Sequence, residues 1–178
     1  MNERWRDRVY VKESPIDGLG VFARRNFRTG EIVLVRGEMH PVTPEAPLDE
    51  AAGELEQHCD VVDGSQVYLA FPDRHVNHSC DANTFLRFEK DSVSYIALRP
   101  IVAGEEVTQS YSVNLNHGAP WECNCGSERC LGAVPGDFFE LPIPIQIELM
   151  PLLADWFVRA RAAEYDALKK EAGLPEDD

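Results

Sequence analysis

Three cysteines packed into the string "CNCGSERC", Cys123, Cys125 and Cys130, constrain this chain more than any other feature. In C-x-C-x₄-C spacing, three thiolates reach three corners of one tetrahedral zinc site, and Gly126 gives the backbone freedom to fold back. A closed structural site needs a fourth ligand, because an open corner leaves water on the metal. Two upstream sources exist, Cys80 in "RHVNHSC" and the pair His58-Cys59, and coordination chemistry leaves the choice open. Cys59 alone reads as a small buried hydrophobe.

A disulfide reading of these thiols needs an oxidising compartment. The polar opening "MNERWRDRVY" has no apolar signal-type core, and no run of residues approaches a bilayer span. The expectation is a soluble intracellular protein, cytoplasmic or nuclear, whose clustered cysteines stay reduced and bind metal. With 31 acidic and 17 basic side chains the formal charge is −14. That field repels phosphate backbones and anionic membranes and favours cationic partners. A nucleic-acid-binding zinc ribbon would explain the cysteine trio alone and conflicts with the charge, so neither nucleic-acid nor membrane binding is expected.

Short apolar and β-branched runs dominate the first two thirds of the chain. "RVYVKES" and "EIVLVRGEM" read as strands linked through "DGLGVFARRNFRTG". "LDEAAGELEQH" reads as a short helix, and Asp63-Gly64 as a hairpin turn between "CDVV" and "SQVYLAF". "TFLRFE", "VSYIALRP" and "EEVTQSY" read as further strands. This is a mainly β (α+β) pattern rather than alternating βαβ units. From Ile147 onward, Leu149, Leu152, Leu153, Trp156, Phe157, Ala160 and Leu168 recur at helical spacing, with Pro151 starting or kinking the helix. Lys169 and Lys170, then Gly173, mark its end.

"GLGVFA", "RHVNHSC", "GEEVTQSY" and "CNCGSERCLG" occur in this order across residues 8 to 134. In order and separation they resemble the SET-domain protein lysine methyltransferases that carry a post-SET zinc segment. The resemblance implies a fold of several short twisted sheets with a knot-like threading, a zinc-bound post-SET segment and a C-terminal helix. It divides the chain into a SET domain over 8–119, with a short insert at about 41–71, a post-SET segment over 120–134 and a helical extension over 135–178. It also selects Cys80 as the fourth ligand beside Cys123, Cys125 and Cys130.

The implied activity is methyl transfer from S-adenosylmethionine to the lysine ε-amine of a basic, histone-like protein or peptide. Tyr111 matches the family's catalytic tyrosine. Asn77 and His78 match its cofactor-binding pair, Arg74 the arginine that precedes them, and Gly18-Leu19-Gly20 its glycine turn. Trp121 and Leu131 are the aromatic and apolar candidates for covering the adenine. Three departures stand out: His75 replaces an aromatic residue, Ala82 replaces a proline, and Val113 stands where many members carry Phe or Tyr. Glu105 and Glu106 match an acidic pair, but adjacent strand positions face opposite sides, which favours a structural role. The alternative is a catalytically silent module that keeps the fold for peptide binding or regulation.

Overall fold

The computed structural model describes residues 3–90, 92–116 and 118–175. Met1 and Asn2 of the polar opening, and the last three residues of the 135–178 stretch, lie outside them. In chain order the strands are β1 (Val9–Glu13), β2 (Leu19–Ala23), β3 (Ile32–Val35), β4 (Met39–Pro41), β5 (Cys59–Val62) and β6 (Ser65–Leu69). They continue with β7 (Asn77–His78), β8 (Thr84–Glu89), β9 (Ser92–Ala97), β10 (Glu106–Gln109), β11 (Trp121–Glu122) and β12 (Ala133–Val134). The largest sheet runs β1-β2-β10-β8-β9-β3, and β7 adds to β10. A three-stranded sheet, β4-β6-β5, forms the insert, and β11 pairs with β12. The chain is therefore mainly β, in several small sheets, as its pattern predicts.

Apolar alternation places the core. Val11 and Val21 face each other across β1 and β2, and Val21 is also in register with Val107 of β10. Val9, Val21, Val33, Val76, Tyr95 and Val107 are completely or almost completely shielded from solvent. Strand β7 lies parallel to β10, with Asn77 beside Thr108 and His78 beside Gln109. Two residues of parallel pairing would not hold alone. Burial of Val76, one residue upstream, anchors them.

The hairpin between β5 and β6 turns at Asp63 and Gly64, both at positive φ, the geometry that favours Asp-Gly. Three elements differ from expectation. Strand β2 lies inside the stretch read as a connection: Gly18 makes the turn before it, and Gly20 is accommodated within the strand. "LDEAAGELEQH" forms two 3₁₀ turns, Glu50–Ala52 and Glu56–His58, since Gly53 adopts the left-handed conformation between them. The helical periodicity after Ile147 is divided among α1 (Ile143–Leu149), α2 (Asp155–Ala160) and α3 (Ala162–Glu171). Pro151 sits in a 3₁₀ turn between the first two, where its missing N–H cannot continue α1. Gly173 follows α3 at positive φ, as the stop signal predicts.

These helices enclose a second apolar cluster of Phe138, Leu141, Met150, Phe157 and Leu168. Phe138 and Phe157 are fully buried, each worth roughly 2–3 kcal/mol of transfer free energy. No helix among the described residues is long and apolar enough to cross a membrane.

Candidate functional site

The sulfurs of Cys80, Cys123, Cys125 and Cys130 all lie within 4.8 Å of one another. Cys80 lies two residues past the end of β7, while Cys123 follows β11 and the other two occupy the loop before β12. That loop closes through the Cys123 N–H to the Gly132 carbonyl, 2.8 Å. Gly126 and Gly132, both at positive φ, make its turns. Cys80 and Cys123 are 3.7 Å apart, against sulfur–sulfur edges of about 3.8 Å for a tetrahedron with Zn–S near 2.3 Å. Cys59 stands apart, its thiol directed to the Leu55 carbonyl. The four-sulfur set could hold a metal, and its soft donors suit zinc.

Proton affinities within the cluster diverge. Burial pushes the Cys80 thiol up, opposed by the Leu131 N–H. Burial also raises Cys123, and its sulfur neighbours raise it further. Burial raises Cys125 too, but the Ser127 hydroxyl and the N–H groups of Cys80 and Ser127 outweigh it and bring Cys125 to about 6. One thiolate is thus available near neutral pH, the form a metal requires.

Upstream of Cys80, the Asn77 amide donates to the Asp17 and Leu19 carbonyls, at 3.1 and 3.2 Å, and to Glu106 Oε1 at 2.9 Å. Ser14 Oγ donates to the same carboxylate at 2.8 Å. Asn77 therefore pins the Gly18-Leu19-Gly20 turn to β7 and β10. A Cβ on Gly20 would lie 2.2 Å from Glu106 Oε1, so this clamp requires glycine. Glu105 binds Asn83, Arg99 and the Val102 N–H, so the acidic pair splits into two structural roles.

His78 joins the metal cluster to Tyr111. Its Nδ1 accepts the Tyr111 N–H at 3.0 Å, which leaves Nε2 as the donor toward Cys80 Sγ at 3.4 Å. Burial lowers the imidazole to about 4, so the ring is neutral at physiological pH. The Tyr111 ring lies 5.4 Å from His78, and its hydroxyl donates to the Val76 carbonyl at 2.7 Å. Although the residue as a whole is 41% exposed, enclosure of its phenol group, with the Asp60 carboxylate adding to it, raises the phenol far above its usual range. Trp121 meets the His78 ring edge-on at 5.8 Å, while Leu131 packs on the helical cluster.

Tyr111 and Trp121 also line a cleft of about 1080 Å³ between the insert sheet, β8 and α1. Arg74 faces it, its guanidinium bonded to the Tyr68 hydroxyl at 2.5 Å and to His75 at 3.3 Å. His75 packs against Phe71, and burial, then Arg74 and His58, lower it to about 4. Arg74 thus belongs to the insert side of the site, whereas Asn77 and the glycine turn form a separate grouping. The cleft also contains Asp73 and Gln109, which sequence reasoning missed; only their burial distinguishes them, and no motif encodes it.

A family model described as the SET domain matches residues 18–112, more than half of the chain. The histone-lysine N-methyltransferase SET9 of Gibberella zeae is 28% identical over 159 residues, covering 87% of this chain and 24% of that protein. Human histone-lysine N-methyltransferase 2B is 30% identical over 142 residues, covering 70% of this chain and 5% of that protein. The chain spans a quarter or less of the length of these two relatives. A solved Plasmodium falciparum structure overlaps 62% of this chain and 95% of its own, with TM-score 0.47 and 19% identity. The four motifs and the matched span agree: the chain belongs to the SET-domain family.

Proposed function

We propose that the chain transfers a methyl group from S-adenosylmethionine to the lysine ε-amine of a basic protein or peptide, with zinc as a structural element. The observation that carries this reading is the single segment from Asn77 to Cys80. Asn77 clamps the glycine turn, His78 holds the Tyr111 backbone, and Cys80 enters the sulfur cluster. The domain divisions at 8–119, 120–134 and 135–178 follow from it as part of the same proposal.

When bound, the cofactor supplies an electrophilic methyl on a sulfonium. Gly18, Leu19, Gly20, Arg74, Asn77, His78, Tyr111, Trp121 and Leu131 are the residues assigned to holding it. Asn77 offers its amide oxygen, since its amino group is committed, and His78 the backbone of its strand. The glycine turn offers open backbone, and Trp121 and Leu131 offer apolar cover.

Tyr111 is no general base at neutral pH, because its proton is retained and already engages the Val76 carbonyl. Its remaining oxygen lone pairs can orient an incoming amine or accept weak C–H···O contacts. A free lysine titrates near pH ~10.4, and desolvation within the cleft shifts it toward the neutral, nucleophilic form. Alignment then supplies most of the acceleration. Carboxylates outnumber guanidiniums on the cleft wall, which suits a cationic peptide.

Labelled methyl transfer from S-adenosylmethionine onto a panel of basic proteins tests the proposal, with Tyr111→Phe as control. Titration calorimetry of the zinc-loaded chain with S-adenosylmethionine runs alongside. Neither label nor cofactor binding would leave only a peptide-binding role for the fold.

A further inference from the structure

A row of aromatic rings runs from the start of the chain to the insert sheet. Trp5 meets Phe71 at 5.3 Å, Phe71 meets His75 at 5.6 Å and His75 meets His58 at 5.5 Å, all edge to face. His58 meets Tyr68 of β6 at 6.3 Å, and Tyr68 meets His40 of β4 at 5.0 Å. Attractive ring contacts fall at about 4.5–7 Å between centroids. The residues come from separate segments, so the fold makes this row and no sequence spacing encodes it.

Trp5 is the fixed end of the row. It belongs to the 3₁₀ turn Glu3–Asp7 and packs on the core of the main sheet. The Arg8 N–H closes on its carbonyl at 2.8 Å, and the Arg8 guanidinium holds the Ile32 and Val33 carbonyls of β3. Phe71 is the opposite case, 44% exposed in the link between β6 and the turn Asp73–His75. Its ring is held by Trp5, by His75 and by Arg74, whose guanidinium lies 6.0 Å away.

Arg74 faces the cleft, whereas Trp5 and Phe71 do not line it. Among the described residues no carboxylate pairs with Arg74. Its guanidinium sits 5.9 Å from the Tyr68 ring and donates to the Tyr68 hydroxyl and to His75 Nε2. A cation without a counter-ion takes its place from neutral contacts, each of them weak. Here those contacts are Phe71, Tyr68 and His75, all members of the row.

We propose that Trp5 is a positioning residue for Arg74, acting through Phe71, so that the N-terminal turn sets how the cleft holds S-adenosylmethionine. This rests on the proposed function and deepens it, because Arg74 is among the residues assigned to the cofactor. Trp5 is anchored to the main sheet independently of the insert, and Phe71 is the ring through which that anchor reaches the guanidinium. Removal of Trp5 frees Phe71, uncovers His75 and leaves Arg74 with one fixed neighbour, Tyr68.

The test uses the isotope-labelled, zinc-loaded chain and reads the Arg74 Nε–H signal and the titration of the His75 ring by NMR. In the parent chain burial, then Arg74 and His58, hold His75 at about 4. Trp5→Ala should let it rise toward the ordinary 6.5 and should move the Arg74 signal. S-adenosylmethionine affinity, by calorimetry, should fall about three- to tenfold, the worth of one ring contact. Trp5→Phe, which keeps a ring, should restore most of each effect. Phe71→Leu cuts the row at its second member and should repeat the Trp5→Ala result. Native-like signals from the main sheet and from the zinc loop establish folding of each variant.

A merely structural Trp5 would lower the melting temperature and leave the His75 titration and the Arg74 signal where they were; that outcome overturns the proposal. If the parent chain binds cofactor and transfers methyl while the folded variants bind it as tightly, this inference falls and methyl transfer stands. If both signals move as expected and the parent chain takes up no S-adenosylmethionine, methyl transfer falls and the coupling of Trp5 to Arg74 stands.

Discussion

The hydroxyl of Tyr111 donates to the carbonyl of Val76 at 2.7 Å, while the Tyr111 N–H donates to His78. Both hydrogen-bond donors of one residue are tied to the strand segment that leads to Cys80. Tyr111→Phe keeps the ring and the backbone bond but leaves the Val76 carbonyl unpaired. Stability should fall by about 1 kcal/mol. Methyl transfer should fall about 10²–10³-fold, the range seen when one oriented group at a reacting centre is removed. Denaturant melts and single-turnover rates separate the two; equal activity in the variant would remove Tyr111 from the chemistry.

The sulfur cluster predicts one tightly held zinc per chain. Cys80→Ser should lose it or bind it far more weakly, and Cys59→Ser should retain full stoichiometry, because Cys59 lies outside the cluster. Structural zinc sites contribute on the order of 10 kcal/mol of apparent binding energy. Chelation should therefore lower the melting temperature steeply. Elemental analysis of the purified variants checks this, and a metal-free wild-type chain of unchanged stability would refute it.

Gly20 and Glu106 predict a coupled pair. Gly20→Ala places a methyl against the carboxylate that Ser14 and Asn77 share. The expected cost is about 1–3 kcal/mol. In a Glu106→Ala background the same change should cost over 1 kcal/mol less, since the obstructing oxygen is gone. A double-mutant cycle by urea unfolding measures it, and additive effects would show that the clamp does not depend on this contact.

Asp73 predicts an unusual pH dependence. Burial raises its carboxyl to about 6, against 3.8 for the ordinary group, with the Gly37 N–H and Arg36 opposing. The folded chain holds this proton more tightly than the unfolded one. The associated stability is complete below pH 3.8 and is lost as pH rises through 6. Asp73→Asn cannot ionise, so its advantage over wild type should grow by roughly 2 kcal/mol between pH 4.5 and 7.5. His75, lowered to about 4, acts in the opposite direction in both proteins and cancels in the difference. A difference that stays flat with pH would contradict the buried carboxylate.

Local chemistry was readable where it depends on sequence spacing. The C-x-C-x₄-C trio implies metal before any fold is known, and Asp63-Gly64 marks its hairpin because few residues tolerate positive φ there. The fourth ligand was not readable from spacing, because Cys80 reaches the trio only through β7 and β10. Strand β2 escaped because Gly18 and Gly20 resemble a turn until Glu106 is seen against Gly20. The three C-terminal helices share one apolar periodicity, so only Pro151 hinted at a division. Asp73 and Gln109 lay furthest from view. Burial of a polar residue is a property of its whole surroundings, and neither letter carries it alone.

Cys80 and Cys123 stand 43 positions apart, with β8, β9, β10 and β11 between them. An ion bound to both turns that span into a closed hoop and restricts the denatured chain as a long-loop crosslink would, by about 4 kcal/mol. Loss of the tail and loss of the central sheet then become one cooperative event. Stripped of its ion, the same chain should melt in two steps, the segment after β10 first.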